Sequence, residues 1–260
     1  MFGKIRNVVA KIKEEKPLIL NITNDVTMDF IANGLLSLGA SPVMSKAQQE
    51  MDDLLQLANS VVINLGTLDE KFIALCEYVC GVANQLKKPI ILDPVGAGAS
   101  HYRTNASLNI INSYGIAIIR GNASEIMSLS GVSMKTKGVD STAQSDLALE
   151  SAQRLSTHYD ATVIVSGKTD IIVDVNNIRQ LNFGSPLMPQ ITGTGCLLSA
   201  IVGAFHAVEK NRFDASVLAT AFYGSCGEKA SKSAQGPASF KIKFLDELNL
   251  IPKELSYERR

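Results

Sequence analysis

Short apolar runs that alternate with helical stretches constrain the fold of this chain more than any other feature. Inside these runs the apolar residues are consecutive, as in Ile90-Ile91-Leu92. A strand of this kind is buried on both faces, and the usual cause is a parallel sheet covered by helices. The sequence therefore predicts an α/β fold, with a mostly parallel central sheet and helices on both of its faces.

The alternation assigns most of the chain to predicted elements. Apolar runs predict strands over residues 17–22, 60–66, 89–95, 115–121 and 162–167, then a hairpin of 171–175 and 178–182 around Asn176-Asn177. Apolar residues at helical spacing predict helices over residues 1–16, 28–38, 51–58, 69–86, 106–113, 123–129, 141–157, 194–209, 214–231 and 240–248. No linker or repeat interrupts the pattern, so we expect one domain over residues 1–260.

Composition and charge exclude several classes of function. Hydrophobic residues make up 46% of the 260 residues, enough for a large core, and Lys+Arg and Asp+Glu each number 25. Nucleic-acid-binding proteins normally carry a basic excess, so we expect no nucleic-acid partner. Apolar stretches are broken well before the roughly 20 residues that span a bilayer, and the first helix is amphipathic, unlike a signal peptide. We expect no membrane partner and a cytoplasmic location.

The four cysteines are too few for a disulfide framework in a domain of this size. Cys76 and Cys80 lie four residues apart on one apolar helix face, which favours a place in the core over a metal site. Cys226 is interpreted in the same way. His206 lies in mid-helix among apolar residues, and the three histidines form no recognisable zinc or nucleophile–base pattern.

Polar and glycine residues follow all five predicted parallel strands. In open sheets of this kind, ligands bind beyond the carboxyl ends of the strands. Turns also favour Gly and Asn, so each segment alone is weak evidence, but folding alone hardly explains five in a row. The segments are Asn21-Ile22-Thr23-Asn24, Asn64-Leu65-Gly66-Thr67, Asp93-Pro94-Val95-Gly96-Ala97-Gly98, Arg120-Gly121-Asn122 and Ser166-Gly167-Lys168.

The segment from Ile191 to Ala200 is the most specific pattern. Gly193 and Gly195 allow close approach of a ligand to the backbone, and the helix that starts here directs free N–H groups at the loop. This arrangement suits a phosphoryl group in transfer. The alternative is simply a glycine-rich helix start. The segment is not a Walker A loop, and neither is the segment at Ser166, because Thr162 replaces the required glycine.

Two acids follow separate strands and have both structural and functional interpretations. Asp93 opens a turn before Pro94, or it binds a metal; Glu125 completes a capping box with Asn122, or it binds the same metal. Mg²⁺ takes one or two carboxylates and keeps several waters, so both acids are suited to binding Mg²⁺ beside a nucleoside triphosphate. A capping role for Glu125 does not exclude the metal role. Arg120, at the same strand end, is predicted to contact phosphate.

Six motifs in this order resemble those of the hydroxyethylthiazole kinase family, part of the ribokinase-like superfamily. The match runs from about residue 17 to beyond residue 200. The resemblance implies a ribokinase-like three-layer fold. The motifs are Asn24-Asp25-Val26-Thr27, Gly39-Ala40-Ser41-Pro42-Val43-Met44, Asn64-Leu65-Gly66-Thr67, Asp93-Pro94-Val95-Gly96-Ala97-Gly98-Ala99, Arg120-Gly121-Asn122-Ala123-Ser124-Glu125-Ile126 and Thr192-Gly193-Thr194-Gly195-Cys196.

The resemblance also implies an activity, which is ATP-dependent and Mg²⁺-dependent phosphorylation of the primary alcohol of 4-methyl-5-(2-hydroxyethyl)thiazole, in thiamine biosynthesis and salvage. It implies a homotrimer with active sites at subunit interfaces. The implied site residues are Met44, Asn24, Gly66 and Gly193 for the thiazole, Arg120, Ser166, Asn122 and Gly167 for ATP, Asp93 and Glu125 for the metal, and Cys196, Gly193 and Gly195 for catalysis.

Cys196 stands where ribokinase-like enzymes generally place an aspartate base, as is typical of this family. A free thiol has a pKa of about 8.5, and the helix N-terminus predicts a lower value here. Phosphoryl transfer through a loose transition state depends mainly on positioning and charge neutralisation. We therefore expect Cys196 to orient the hydroxyl more than to remove its proton. Lys168 departs from the acidic or neutral residue expected after Ser-Gly, and the favoured interpretation places it in solvent.

Two other functions stay open at this point. The same fold could phosphorylate hydroxymethylpyrimidine or another vitamin precursor, although the flexible thioether of Met44 suits a flat sulfur heterocycle. The chain could also be a catalytically silent protein that binds thiazole or nucleotide. Such a protein is expected to have lost Asp93, Glu125 or Gly195, and all three are present.

Overall fold

The computed structural model describes residues 1–131, 141–175 and 177–250. The strands are β1 (Leu18–Ile22), β2 (Ser41–Met44), β3 (Ser60–Asn64), β4 (Ile90–Asp93), β5 (Ile118–Asn122), β6 (Thr162–Ser166), β7 (Asp170–Asp174) and β8 (Asn177–Leu181). The helices are α1 (Phe2–Glu15), α2 (Met28–Leu38), α3 (Met51–Leu57), α4 (Glu70–Gln85), α5 (His101–Ser113), α6 (Ala123–Leu129), α7 (Ser141–Tyr159), α8 (Thr194–Val208), α9 (Arg212–Ser233) and α10 (Pro237–Asn249).

The strands form one eight-stranded sheet in the order β2-β1-β3-β4-β5-β6-β7-β8. The first six strands are parallel, and the β7–β8 hairpin adds to β6 in antiparallel fashion. The register pairs Asn64 with Asp93 at the ends of β3 and β4, and Asn122 with Ser166 at the ends of β5 and β6. The polar segments after the parallel strands therefore meet at one edge of the sheet.

Helices cover both faces of this sheet. One apolar cluster joins the sheet to α1, α2, α8, α9 and α10, and it contains the fully buried Phe205 and Phe240. A second cluster joins the opposite face to helices between α3 and α7. The two clusters make three layers, because strands such as β3 are buried along their whole length. The predicted three-layer α/β fold is confirmed.

One strand and several helix limits differ from the prediction. Strand β2 was not predicted, because it contains Pro42 and its four residues are only partly buried at the sheet edge, where proline is tolerated. Helix α5 begins at His101 instead of residue 106, since the Ser100 side chain accepts the Arg103 N–H and caps it. Of the predicted hairpin turn, Asn177 begins β8 and Asn176 lies outside the described residues.

The prediction that Cys76, Cys80 and Cys226 lie in the core is confirmed, whereas His206 lies in the last turn of α8 instead of in mid-helix. Cys76 and Cys80 are fully buried, and Cys226 is buried as well. The Nδ1 atom of His206 lies 3.0 Å from the Glu209 carbonyl oxygen. Over the ranges described above, the helices are too short or too polar to cross a membrane.

Close packing of α8 on the sheet predicts a strong effect of one glycine. A Cβ at Gly203 would lie 3.1 Å from both Ser60 Oγ and Val62 Cγ2. We expect Gly203→Val to lower the free energy of unfolding by about 1–3 kcal/mol through overpacking, measured by urea denaturation. The control is Gly3→Ala in α1, where nothing lies within 4 Å of the added Cβ. Equal stability of the two variants would contradict this packing.

Candidate active site

A cavity of about 690 Å³ opens at the carboxyl edge of the sheet. Its floor contains residues predicted to bind ATP, contributed by the ends of β5 and β6 and the turn after β6: Arg120, Asn122, Ser166 and Gly167. Thr194 and Gly195 line it from the start of α8, and Phe183 and Tyr223 form part of the apolar wall. The structure therefore brings the predicted nucleotide residues together with the glycine-rich loop.

The start of α8 can be formed only by small residues. Gly193 has a φ of 95°, and an added Cβ would lie 2.7 Å from Thr27 Cγ2. At Gly195 an added Cβ would lie 2.7 Å from Arg120 Nη1. The N-cap Gly193 has no side chain to accept a hydrogen bond from the first turn of α8. This turn therefore directs N–H groups and the positive end of the helix dipole towards an anion.

Arg120 supplies positive charge on the cavity floor. Its Nη2 donates to Ser166 Oγ, and its Nη1 lies 3.7 Å from Asp93 Oδ2. Its Nε is buried and has no hydrogen-bond partner. The Arg120 side chain is only 11% exposed, so its charge is weakly screened. An anionic ligand in the cavity would stabilise this cation.

Asp93 is the most deeply buried charged group of the site. Its Oδ2 accepts hydrogen bonds from Asn64 Nδ2 at 2.8 Å and from Ser199 Oγ at 2.7 Å. Its Oδ1 is buried and has no partner. Burial raises the pKa of Asp93 to about 6, although the nearby Arg120 opposes the shift. A carboxylate with one free oxygen in a buried site is suited to binding a cation.

Glu125 has the predicted capping role. Its Oε2 accepts the Asn122 N–H at 2.8 Å, and Asn122 Oδ1 accepts the Glu125 N–H at 2.9 Å, which forms a capping box. Its Oε1 accepts the N–H of Gly96 at 2.8 Å. Each oxygen keeps a second lone pair. In the described parts of the chain, no cluster of three or more His, Cys, Asp or Glu could hold a metal.

The buried side-chain amides of Asn24 and Asn64 connect Cys196 with the carboxylate of Asp93. Asn24 Nδ2 lies 3.4 Å from Cys196 Sγ and 2.8 Å from Asn64 Oδ1. Burial and the negative charge of Asp93 raise the pKa of the Cys196 thiol. The predicted lowering of this pKa was wrong, because loss of solvation outweighs the helix dipole. Cys196 is therefore a neutral thiol at neutral pH.

The residues predicted to bind the thiazole lie in two places. Asn24 and Gly66 are in contact beside Cys196, where an added Cβ at Gly66 would lie 2.7 Å from Asn24 Cβ. Met44 lies at the end of β2, paired with Asn21 on the sheet edge, and is partly exposed. Lys168 is exposed, as the favoured interpretation predicts, but it also lines the cavity, so the alternative of a cation near the nucleotide stays open.

Sequence reasoning missed three polar residues of this region. Asn64 was recognised only as part of a motif, and Ser199 and Asp170 were not considered. Ser199 follows Cys196 by three residues in α8, so helical spacing places it on nearly the same helix face. Asp170 lines the cavity, and its Oδ1 accepts the Gly167 N–H at 3.0 Å. A search for polar residues within or close to the predicted motifs would have found Asn64 and Ser199.

The fold is that of ribokinase-like proteins. A ribokinase-like superfamily protein from Enterococcus faecalis has the same fold, with a TM-score of 0.65 over 94% of this chain and 93% of that chain, at 14% identity. The TM-score supports a shared fold, and the identity is too low to support a shared function.

Closer relatives define the family. The family model of hydroxyethylthiazole kinases matches residues 9–254. A hydroxyethylthiazole kinase from Brachyspira hyodysenteriae is 48% identical over 245 residues, which cover 94% of this chain and 92% of the relative. The structure of a hydroxyethylthiazole kinase protein from Pyrococcus horikoshii is 37% identical, with a TM-score of 0.87 and coverage of 95% of this chain and 93% of that chain. The chain belongs to the hydroxyethylthiazole kinase family.

The environment of Asp170 predicts a pH-dependent stability. Burial raises its pKa to about 6, against the Gly167 N–H and the Arg120 charge. The folded state therefore binds the proton more tightly than the unfolded state, whose carboxyl has a pKa near 4, so stability falls as pH rises between these values. Asp170→Asn keeps an acceptor for Gly167 and removes this titration. Between pH 4 and pH 8 we expect the free energy of unfolding of the wild type to fall by about 1–3 kcal/mol relative to that of the variant.

The measurement is urea unfolding of both proteins at the two pH values, without nucleotide. A constant difference between wild type and Asp170→Asn across this range would contradict the buried carboxylate.

Proposed function

We propose that the protein catalyses ATP-dependent phosphorylation of the primary alcohol of 4-methyl-5-(2-hydroxyethyl)thiazole, a step of thiamine biosynthesis and salvage. The observation that carries the proposal is the start of α8, where a first turn without a side-chain cap contains Cys196 and passes close to the Arg120 guanidinium at Gly195. This is the arrangement that a phosphoryl group needs as it passes from a nucleotide to an alcohol. The chain would act as one catalytic domain, since one sheet carries the whole site.

ATP would bind in the cavity, with its phosphates towards the α8 N-terminus. Arg120 would contact the phosphates, and Ser166, which accepts a hydrogen bond from Arg120, would hold both the guanidinium and the nucleotide. Asn122 and Gly167 lie beside them at the end of β5 and in the turn after β6. The N–H groups at Gly193 and Gly195 would donate hydrogen bonds to the oxygens of the phosphoryl group as it moves from ATP to the alcohol.

Mg²⁺ would be held by Asp93 and Glu125, directly or through water. The free Oδ1 of Asp93 and the remaining lone pairs of Glu125 fit a cation that keeps several waters and phosphate ligands. When bound, Mg²⁺ neutralises phosphate charge as the phosphoryl group moves. Arg120, whose Nη1 lies 3.7 Å from Asp93 Oδ2, would contribute to the same neutralisation.

Cys196 would orient the acceptor hydroxyl. Because the thiol is neutral at neutral pH, it can donate a hydrogen bond to the substrate oxygen, and only its small thiolate fraction could act as a base. Its sulfur accepts a hydrogen bond from Asn24 Nδ2, which would hold the thiol in place beside that oxygen. A modest base role fits a loose transition state, in which the alcohol proton leaves late.

The thiazole ring would bind near Cys196, between Asn24, Gly66, Gly193 and the thioether of Met44. Met44 lies at a sheet edge, so we propose that a homotrimer completes the pocket, with each site shared by two chains. The apolar side chain of Val26 supports the proposal. It is 70% exposed, and the neighbouring Asp25 pairs with Lys46, two residues beyond the end of β2.

The cytoplasm is the proposed location. It supplies ATP, and its reducing conditions match four cysteines that are all free thiols.

The activity assay uses purified protein, ATP, and a panel of thiazole and pyrimidine alcohols, with and without Mg²⁺. We expect a phosphorylated product from hydroxyethylthiazole and only when Mg²⁺ is present. If only the pyrimidine alcohol gives a phosphorylated product, the pyrimidine and not the thiazole is the substrate. Tight ligand binding without turnover would favour a silent binding protein.

Replacement of the thiol tests its role. We expect Cys196→Ala to lower kcat by less than about 100-fold, the low end for general-base catalysis, with the KM for ATP little changed. Cys196→Asp is the matched variant, because it places the carboxylate of related enzymes at the same position, and we expect it to stay active. A loss of several thousandfold in a folded Cys196→Ala protein that binds ATP would show that the thiol acts as an essential base.

Disruption of the exposed edge tests the trimer. Val26→Asp adds a charge to an apolar surface beside Asn24, so we expect dissociation of the trimer, measured by light scattering, together with a raised KM for the thiazole. Ile178→Asp is the control, since Ile178 is 41% exposed on β8 at the opposite sheet edge. A monomeric wild type with full activity would contradict the shared pocket.

A further inference from the structure

Two fully buried side chains hold the same oxygen of Asp93. Asn64 Nδ2 and Ser199 Oγ donate to Oδ2 at 2.8 and 2.7 Å, and both residues have no exposed surface. The other oxygen, Oδ1, is buried without a partner. A carboxylate held on one side only has its second oxygen in a fixed direction.

The hydrogen bond of Ser199 is not the one that a helix favours. Serines within helices commonly donate to the carbonyl four residues earlier, as Ser216 does to Arg212 at 2.7 Å and Ser225 does to Ala221 at 2.7 Å. Ser199 instead donates to Asp93, which is 106 residues away in sequence. This contact joins the helix of Cys196 to the end of β4.

The direction of the Asn64 amide is fixed by the backbone. Asn64 Oδ1 accepts the Gly66 N–H at 3.1 Å and Asn24 Nδ2 at 2.8 Å, so its Nδ2 must face Asp93. Asn24 is fixed in the same way, since its Oδ1 accepts the Thr27 N–H at 3.0 Å. The two amides therefore present donors to Cys196 at one end and to Asp93 at the other.

We propose that Asn64 and Ser199 are positioning residues for phosphoryl transfer, which hold Asp93 Oδ2 so that Oδ1 stays free for the Mg²⁺–nucleotide. Asn64 also orients the Asn24 amide that donates to Cys196, whereas Ser199 acts on the carboxylate alone. This inference rests on the proposed function. Residues that orient the ligands of a metal commonly change metal affinity by about 10- to 100-fold when they are lost.

The test measures Mg²⁺-dependent binding of ADP to the full chain, without turnover. Thermal stabilisation by a fixed ADP concentration is recorded while Mg²⁺ is varied. We expect Ser199→Ala and Asn64→Ala to need at least roughly 10-fold more Mg²⁺ for half of the maximal thermal stabilisation by ADP. Binding of ADP without Mg²⁺ should be unchanged. Ser60→Ala is the matched control, because it also removes a fully buried serine hydroxyl that contacts α8, through Gly203, but lies away from Asp93.

The alkylation rate of Cys196 by iodoacetamide separates the two variants. Cys76, Cys80 and Cys226 are buried, so native alkylation reports on Cys196. We expect Asn64→Ala to change this rate and Ser199→Ala to leave it as in wild type. If Asn64→Ala does not fold, Ser199→Ala alone decides.

Two results would overturn the inference: Ser199→Ala with the Mg²⁺ response of wild type, or Ser60→Ala with the same loss as Ser199→Ala. Failure of the proposed function is seen separately, as wild-type protein that binds Mg²⁺ and ADP but does not phosphorylate the thiazole.

Discussion

The site depends on the close packing of α8 against the sheet. This helix is buried along most of its length, and Gly203 allows its backbone to approach β3, where Ser60 Oγ donates to the Gly203 carbonyl at 3.0 Å. The packing fixes the N-terminus of α8 at the carboxyl edge of the parallel strands. Arg120, Asp93 and Cys196 are brought together there although they come from three separate elements. An anion site built from a helix end therefore needs the buried packing of the whole helix behind it.

The two opposite charges of the site, on Asp93 and Arg120, do not fully satisfy each other's hydrogen-bonding atoms. Asp93 and Arg120 are 3.7 Å apart, but each keeps one buried atom without a hydrogen-bond partner, Oδ1 of Asp93 and Nε of Arg120. Buried polar groups without partners are costly. In the proposed complex, Mg²⁺ would bind Asp93 Oδ1 and a nucleotide phosphate would accept from Arg120 Nε, so these two atoms would contribute to the binding free energy. Burial also raises the pKa of Asp93 to about 6, although the charge of Arg120 opposes the shift.

Sequence predicted the fold well because burial on both faces leaves a clear pattern. Ile90-Ile91-Leu92 is apolar at consecutive positions and forms β4, whereas β2, with Pro42 at an exposed edge, carries no such pattern. The residues after the strands were predicted for similar reasons, since parallel strands end at one edge. Contacts such as Ser199 with Asp93 were not predicted, because hydrogen bonds between distant residues depend on packing that no local pattern records. The pKa of Cys196 shows the same limit: the helix start is visible in the sequence, but the burial that raises the pKa is not.

The central claim is that the α8 N-terminus holds the phosphoryl group during transfer. A crystal structure with a non-hydrolysable ATP analogue, Mg²⁺ and hydroxyethylthiazole tests it most directly. The account predicts the terminal phosphate within hydrogen-bond distance of the N–H groups at Gly193 and Gly195, with the substrate hydroxyl beside the Cys196 sulfur. A terminal phosphate bound elsewhere in the cavity, away from Gly193 and Gly195, would contradict it.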